Sequence, residues 1–591
     1  MIKKAVRPSS FKPFEPLEHA MFSIDFLSQM TDPALNYLPY GFVSPMHTPP
    51  YAEHGRIDDA ELVASWYEGL SCAREMLGTN KGADVEEALH QQLVGDGWDS
   101  KSGLRFPVKR AWDEEETYCL LSECAVVLSA LNRALAVDAK DKAAERRAAG
   151  LIQGLKKHVV EHHTRFIGLG EFAIEELPCF SFSSDVYVLG KGFDAAIGTG
   201  FSDGVLRYSV LIEPLVERYI LVKDADALEL ATGLANFITA HSHFFTNRTE
   251  FSGHVDSALR TAIGLAKLGR VASEDKYVAK AKGLYDYVRR STSAFGWVPE
   301  YMQWQLIADE RCEACCVGSM MICAIELVDC GFPEYWDDVH RFWRNHLSQS
   351  QMVETSFIQG VSDKQKDTVQ RTYKRITERI KGGFFGCTTP NSVSLARYRG
   401  IAPCCSASAP KAMLKAWRRT AEFLRGNLIV NFPVNYEDDN AKVTVGYPNS
   451  GFIRVKLKKT CRVIIRVFPW MPAPHEGTVD GRPAGLERRD DQVSFPTSEK
   501  GSVLEFRHDI KMRRVMENVM GLDFFGLWRG PDMVDILPHG FGLRLYQRAS
   551  DLPFEVPTNL GEGLTKAITE PLLEPLSSKE TRLNRRKAPR N

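Results

Sequence analysis

Between Asp58 and about Arg425, the apolar residues of this 591-residue chain recur at three- and four-residue spacing, in long segments that come in pairs. Leu62, Trp66, Leu70 and Ala73 mark the first such helix face. Leu121 to Leu135 is followed, after a break at Val137-Asp138-Ala139, by Ala143 to Val159. Leu215–Val222 and Ala227–Ile238 flank Lys223-Asp224-Ala225-Asp226, and Ala258–Val271 and Tyr277–Val288 flank Ala272-Ser273-Glu274-Asp275. Cys316–Val328 and Tyr335–Trp343 flank Cys330-Gly331-Phe332-Pro333. Asp and Ser in these breaks suit the N-caps of the second helices. Repeated helical hairpins imply an α-solenoid or a closed toroid. Long connections, Ile167 to Gly204 and Val353 to Ala407, alternate with short breaks, so the long loops gather on one face. That pattern predicts a closed (α/α)6 barrel with its site at the loop face.

After Arg425 the period changes to two. Asn427–Asn431, Ala441–Val445, Phe452–Leu457, Arg462–Val467 and Val503–Phe506 alternate or run apolar between turn residues, with Val479-Asp480-Gly481-Arg482-Pro483 as a tight turn. The expected fold is therefore mainly α with β. Residues 1–57, rich in Pro and aromatics, suit an extended arm rather than a helix, 58–425 the barrel, and 426–545 an accessory β-sandwich. Residues 546–591 form a tail that turns basic and apolar-poor from Ser577.

A net charge of -1 supplies no field to gather nucleic acid or an anionic membrane, and no apolar run approaches a membrane span. The first residues, Met1 to Pro8, carry lysines without the apolar run of a secretory signal. Thirteen cysteines, an odd number scattered through helical segments, favour reduced thiols and a cytoplasmic location.

Five of those cysteines lie in two short motifs, Arg311-Cys312-Glu313-Ala314-Cys315-Cys316 and Pro403-Cys404-Cys405-Ser406. Glu313, Cys315, Cys404 and Cys405 offer one carboxylate and three thiols, a tetrahedral zinc set. Glu313 and Cys315, two residues apart, converge on one ion if the backbone there is still non-helical. Read from spacing alone, the same cysteines fit better as buried small apolar side chains, the usual fate of a free Cys.

Glu313-x-Cys315, Cys404-Cys405 and the upstream Gly296-Trp297-Val298-Pro299-Glu300 resemble glycoside hydrolase family 127, whose founding activity is β-L-arabinofuranosidase. The likeness runs from about residue 40 to 540. It implies an (α/α)6 barrel and a retaining glycosidase whose zinc is held by Glu313, Cys315, Cys404 and Cys405. Cys404 is then the nucleophile that forms a thioglycosyl-enzyme, and a glutamate is the acid/base. Glu300, among Trp297, Tyr301 and Trp304, is the expected acid/base, with Glu310 as competitor. His254, at a helix start, is the expected sugar contact; His47, His54 and Trp66 are weaker candidates.

The sequence departs from the family pattern in places. Ser406 stands where the family has Pro, and Cys316 where it has Ala. Leu211 replaces a sugar-binding His, which exchanges a hydrogen bond for an apolar contact and leaves the sugar open, whether a β-L-arabinofuranoside or a similarly shaped glycoside. Two other readings stay open: another (α/α)6 sugar enzyme, an epimerase or unsaturated-uronide hydrolase, and a non-catalytic carbohydrate-binding protein with structural zinc. The oligomeric state is also open, a homodimer being one option because accessory β-domains often mediate pairing. Gly190-Lys191-Gly192 and Gly198-Thr199-Gly200 read as loop rather than as a phosphate cradle.

Overall fold

The computed structural model describes residues 10–555 apart from residues 46, 48, 114–115, 163, 168–173, 195–203, 304–310, 359–364, 394–399, 541, 551 and 553. Its principal helices are α1 (Pro16–Gln29), α2 (Val63–Leu77), α3 (Ala83–Gly95), α4 (Leu121–Val137), α5 (Lys142–Lys156), α6 (Gly204–Ser209) and α7 (Ile212–Val222). They continue with α8 (Ala225–Asn236), α9 (Val255–Ala272), α10 (Asp275–Arg289), α11 (Ala314–Asp329), α12 (Trp336–Phe342) and α13 (Pro403–Arg418).

An inner ring runs α2, α4, α7, α9, α11, α13, each packed on the next, and α13 returns onto α2 to close it. Helices α1, α3, α5, α8, α10 and α12 pack outside. The burial pattern follows from the layer. Every residue of α11 from Ala314 to Leu327 is buried, as an inner helix requires, and the segment is apolar nearly all round. Outer α5 buries Ala144, Ala148, Leu151, Ile152 and Leu155, a single stripe, and turns its charges outward. Asp141 and Asp224 cap α5 and α8 by accepting from the amides of Ala143 and Ala227 at 3.0 and 3.2 Å. The ring closes tightly at Gly69, where a Cβ would lie 2.3 Å from the carbonyl oxygen of Ala407.

The N-terminal arm differs from the expectation. Pro16–Gln29 is a helix and the outer partner of α2. Pro16 at its first turn is compatible with a helix start, and Ala20, Ile24, Phe26 and Leu27 give it a buried stripe. The rest of the arm is extended, with short strands at Thr31–Asp32, Leu38–Pro39, Phe42–Ser44 and Tyr51–Glu53.

The barrel axis holds charge as well as apolar side chains. Lys411 donates to Ser129 Oγ at 2.9 Å and lies 3.3 and 3.5 Å from Glu68 and Glu213. Lys415 lies 3.1 Å from Glu326, and Lys267 pairs with Glu217. Together these groups come from each of the six inner helices.

The C-terminal region is a sandwich of a five-stranded and a six-stranded sheet. Strands Asn427–Val430 and Arg462–Arg466 run parallel in the first, while Phe452–Leu457 and Val503–Arg507 pair antiparallel in the second. Val479 pairs with Arg482 around Asp480 and Gly481, whose φ of 50° and 75° suit a tight hairpin turn. A meander of Met512–Val519, Leu522–Arg529 and Asp532–Leu537 follows. The barrel meets this meander at Arg344, fully buried 3.1 Å from the equally buried Asp532, and Arg548 pairs with the same carboxylate. His346 is held between Tyr546 Oη and Thr388 Oγ1, both at 2.8 Å. Residues 546–550 therefore belong to the packed molecule and not to a loose tail: Tyr546 is fully buried because its ring fills the seam between the two parts. The tail arginines from Arg582 lie outside the described residues.

Candidate active site

The N-termini of three successive inner helices, α9, α11 and α13, meet at one point. Gly253–His254, which leads into α9, pairs antiparallel with Tyr301–Met302, His254 opposite Tyr301. Glu300 sits at the start of this pairing. Its amide donates to the Arg311 carbonyl at 2.7 Å, and its carbonyl accepts from the amide of Val255 at 2.9 Å.

Glu313 is the N-cap of α11, with φ -95° and ψ 142°. This extended backbone turns its carboxylate back over the first turn, where Cys315 Sγ lies 3.4 Å from Oε2. Pro403 opens α13 and puts Cys404 and Cys405 in its first turn. Cys405 Sγ then lies 3.6 Å from Cys315 Sγ. Glu313, Cys315 and Cys405 form a cluster whose donor atoms all lie within 4.8 Å of one another. Cys404, half-buried beside them, is not within that cluster. All thirteen cysteines are free thiols, the Cys404-Cys405 pair included.

These spacings suit a metal ion. A tetrahedral zinc shell has edges of roughly 3.8 Å between two sulfurs and 3.6 Å between sulfur and oxygen, given its ordinary bond lengths. The donor chemistry agrees, because thiolate and carboxylate are zinc ligands and two helix N-termini favour the negative charge they bring. In the protein alone the thiols are held protonated: hydrogen bonding with Cys316, together with burial, pushes Cys315 well above the usual range, and hydrogen bonding with Cys315 does the same for Cys405. Cys404 is pushed up likewise by its hydrogen bond with Cys405 and by burial.

Glu300 is 6 % exposed, and burial, then the charge of Glu313, raises its carboxyl well above the ordinary carboxylate range. Arg311 offsets this only partly. Its Nε lies 3.1 Å from Glu300 Oε2 without the alignment of a hydrogen bond, so that oxygen is buried and unsatisfied. For His254, burial lowers the imidazole, but the hydrogen bond to Glu313 and its charge outweigh that and raise it.

Other expected site residues fall elsewhere. Trp66 is fully buried between α1 and α2, its indole donating to the Leu27 carbonyl at 2.8 Å, so no face is left for a sugar. His54 is also fully buried, 2.7 Å from Asp58 and stacked between Tyr40 and Trp112, which makes it packing of the arm. Leu211 has no exposed surface, so it is core and not an apolar sugar contact. His47 bonds to the Pro49 carbonyl at 3.0 Å and packs on Tyr51. Glu310, Trp304 and Gly198–Gly200 lie outside the described residues. Sequence reasoning gave Arg311 no role, although its place two residues before Glu313 was the available signal.

No family profile and no curated protein matches this sequence. Solved structures do match. A GH127 β-L-arabinofuranosidase from Geobacillus stearothermophilus T6 is similar at 13% identity over 87% of this chain and 79% of that one, with a TM-score of 0.53. The chain has the fold of the family 127 glycoside hydrolases. A second GH127 β-arabinofuranosidase is similar at 14% identity, covering 88% and 80% of the two chains, with a TM-score of 0.54. A structure described as a glycoside hydrolase is similar at 13% identity and a TM-score of 0.55, covering 88% and 81%. The barrel with its β-rich C-terminal part is thus common to this chain and to those enzymes.

Proposed function

We propose that this chain is a retaining glycoside hydrolase for a β-L-arabinofuranoside or a similarly shaped glycoside, with Cys404 as nucleophile and Glu300 as acid/base. The observation that carries the reading is the meeting of a proton-holding Glu300 with a thiol–carboxylate cluster at one barrel mouth. Zinc, held by Glu313, Cys315 and Cys405 with Cys404 beside them, would keep these thiols ionised at neutral pH.

The Cys404 thiolate attacks the anomeric carbon, and the bond to the leaving oxygen breaks as Glu300 gives that oxygen its proton. Burial supports this first role, since it keeps Glu300 protonated at a pH where an exposed glutamate is ionised. Glu300, now a carboxylate, takes a proton from water as the water oxygen attacks the same carbon, and Cys404 leaves as thiolate. Arg311 holds the carboxylate in place between the two steps.

The test is hydrolysis of an aryl β-L-arabinofuranoside. Cys404→Ser is expected to lose at least about a thousandfold in kcat, and Glu300→Gln about a hundredfold or more, with a smaller loss on substrates whose leaving group needs no protonation. A Cys404→Ser enzyme that keeps its rate would remove Cys404 as nucleophile.

A further inference from the structure

Glu313 faces two sets of donors. One is Cys315 and Cys405. The other is His254 and Cys316, whose donor atoms and that of Glu313 also lie within 4.8 Å of one another. We propose that His254, Glu313 and Cys316 form a second site for a zinc-class divalent cation, with Glu313 bridging it to the Cys315–Cys405 site.

The geometry of α11 separates the two sets. Consecutive residues of a helix point about 100° apart. Cys315 turns towards α13 and meets Cys405 at 3.6 Å, while Cys316, though still in hydrogen-bond contact with Cys315, is the thiol that groups with His254 on the α9 side. Glu313, at the N-cap, lies over both. His254 Nε2 is 3.3 Å from Glu313 Oε2, where a tetrahedral zinc shell has a nitrogen–oxygen edge of roughly 3.4 Å. The longest separation the cluster allows, 4.8 Å, exceeds the sulfur–oxygen edge by roughly 1.2 Å, which side-chain rotation closes.

The other ring nitrogen is already placed. His254 Nδ1 lies 3.1 Å from Ser257 Oγ, so a proton held there would let Nε2, which in the metal-free protein donates its proton to Glu313, turn its lone pair to the cation. An imidazole, a thiolate and a carboxylate together select a borderline ion of the zinc kind over magnesium or calcium. Cys316 is fully buried while His254 and Glu313 are each 21 % exposed, so the three donors leave an open position on the solvent side. Charge also balances. Two dications are matched by the thiolates of Cys315, Cys316 and Cys405 and the carboxylate of Glu313, which a partly buried pocket requires. An ion pair between His254 and Glu313 explains their contact, and the hydrogen bond with Cys315 gives Cys316 a partner, but neither accounts for all three donors closing on one point.

Sharing of Glu313 makes this second site rest on the reading of Cys315 and Cys405 as zinc ligands. Elemental analysis of the full-length protein, with wild type, Cys316→Ala, Cys316→Ser and Cys405→Ala purified under reduction, separates the two. About two zinc ions per chain in wild type are expected, falling to about one in each variant. Titration of the metal-free wild type with cobalt is expected to saturate at two equivalents, with thiolate-to-cobalt absorption growing in both phases. One zinc per chain, lost in Cys405→Ala and kept in both Cys316 variants, would overturn the second site and leave the proposed function standing. One zinc lost only in the Cys316 variants, or no zinc in any protein, would overturn both.

Discussion

Glu300 and Arg311 decide the ionisation of the site at the residue scale. Burial and Glu313 raise the Glu300 carboxyl, and the Arg311 guanidinium pulls against them. In the role proposed for it, Glu300 must be protonated, so activity would be lost as pH rises through its pKa. Removal of the opposing cation in Arg311→Met is expected to move the alkaline limb of kcat/KM to higher pH. An unmoved limb would separate Arg311 from the acid. Glu313 and Cys315 were legible as partners in the sequence because their convergence is local: it needs only an extended residue before a helix. The roles of Trp66 and His54 were misread for a related reason. Residue type alone does not say on which side of a helix or arm a ring lies, and α1 covers Trp66.

Inner and outer helices differ in what their charges do. Lys411 and Lys415, and Glu213 and Glu217, stand four apart on their helices, a pattern that usually marks a solvated face. In this fold they meet inside the ring and neutralise one another, Glu213 fully buried and Lys411, Lys415 and Glu217 half-buried. Breaking a buried ionic network on one side leaves an uncompensated charge. Lys411→Met is therefore expected to cost about 3 kcal/mol in urea denaturation, more than the change in apolar surface would give. A loss below about 1 kcal/mol would show that water or a neighbouring lysine takes over. The helix pairs themselves were readable from periodicity, since a buried stripe at 3.6-residue spacing has no other simple source. Helix α1 was not, because Pro and aromatics are as common in packed arms as at helix starts.

At the scale of the whole molecule, the seam between the barrel and the C-terminal region holds buried imidazoles that make it sensitive to acid. Burial lowers His346 from 6.5 to about 3, and His19, bonded to Gln351, from 6.5 to about 4. For an imidazole held neutral, the stabilisation is complete above the unfolded value and is lost as pH falls towards the folded one. Between pH 6.5 and about 3 the unfolded chain binds a proton that the folded His346 refuses, so stability declines with falling pH across that window. At pH 5 the loss from His346 alone is about 2 kcal/mol relative to neutral pH. His346→Gln, which keeps hydrogen-bonding groups near Tyr546 and Thr388, is expected to be less stable at pH 7 but to lose less on acidification, as read by denaturation at pH 7 and 5. An equal loss in both proteins would place the acid sensitivity elsewhere.

By itself the sequence determined the two regimes of this chain, helix pairs followed by alternating strands, because each regime is a short-range periodicity of apolar residues. It also determined the local half of the site, Glu313 with Cys315 and Cys404 beside Cys405. Only the tertiary structure decided that Cys405 meets Cys315, that His254 and Cys316 flank the same carboxylate, and that Tyr546 and Arg548 are core. The reason is closure. A ring of helices brings α13 against both α11 and α2, and such neighbours are set by packing of the whole ring, which no local spacing encodes.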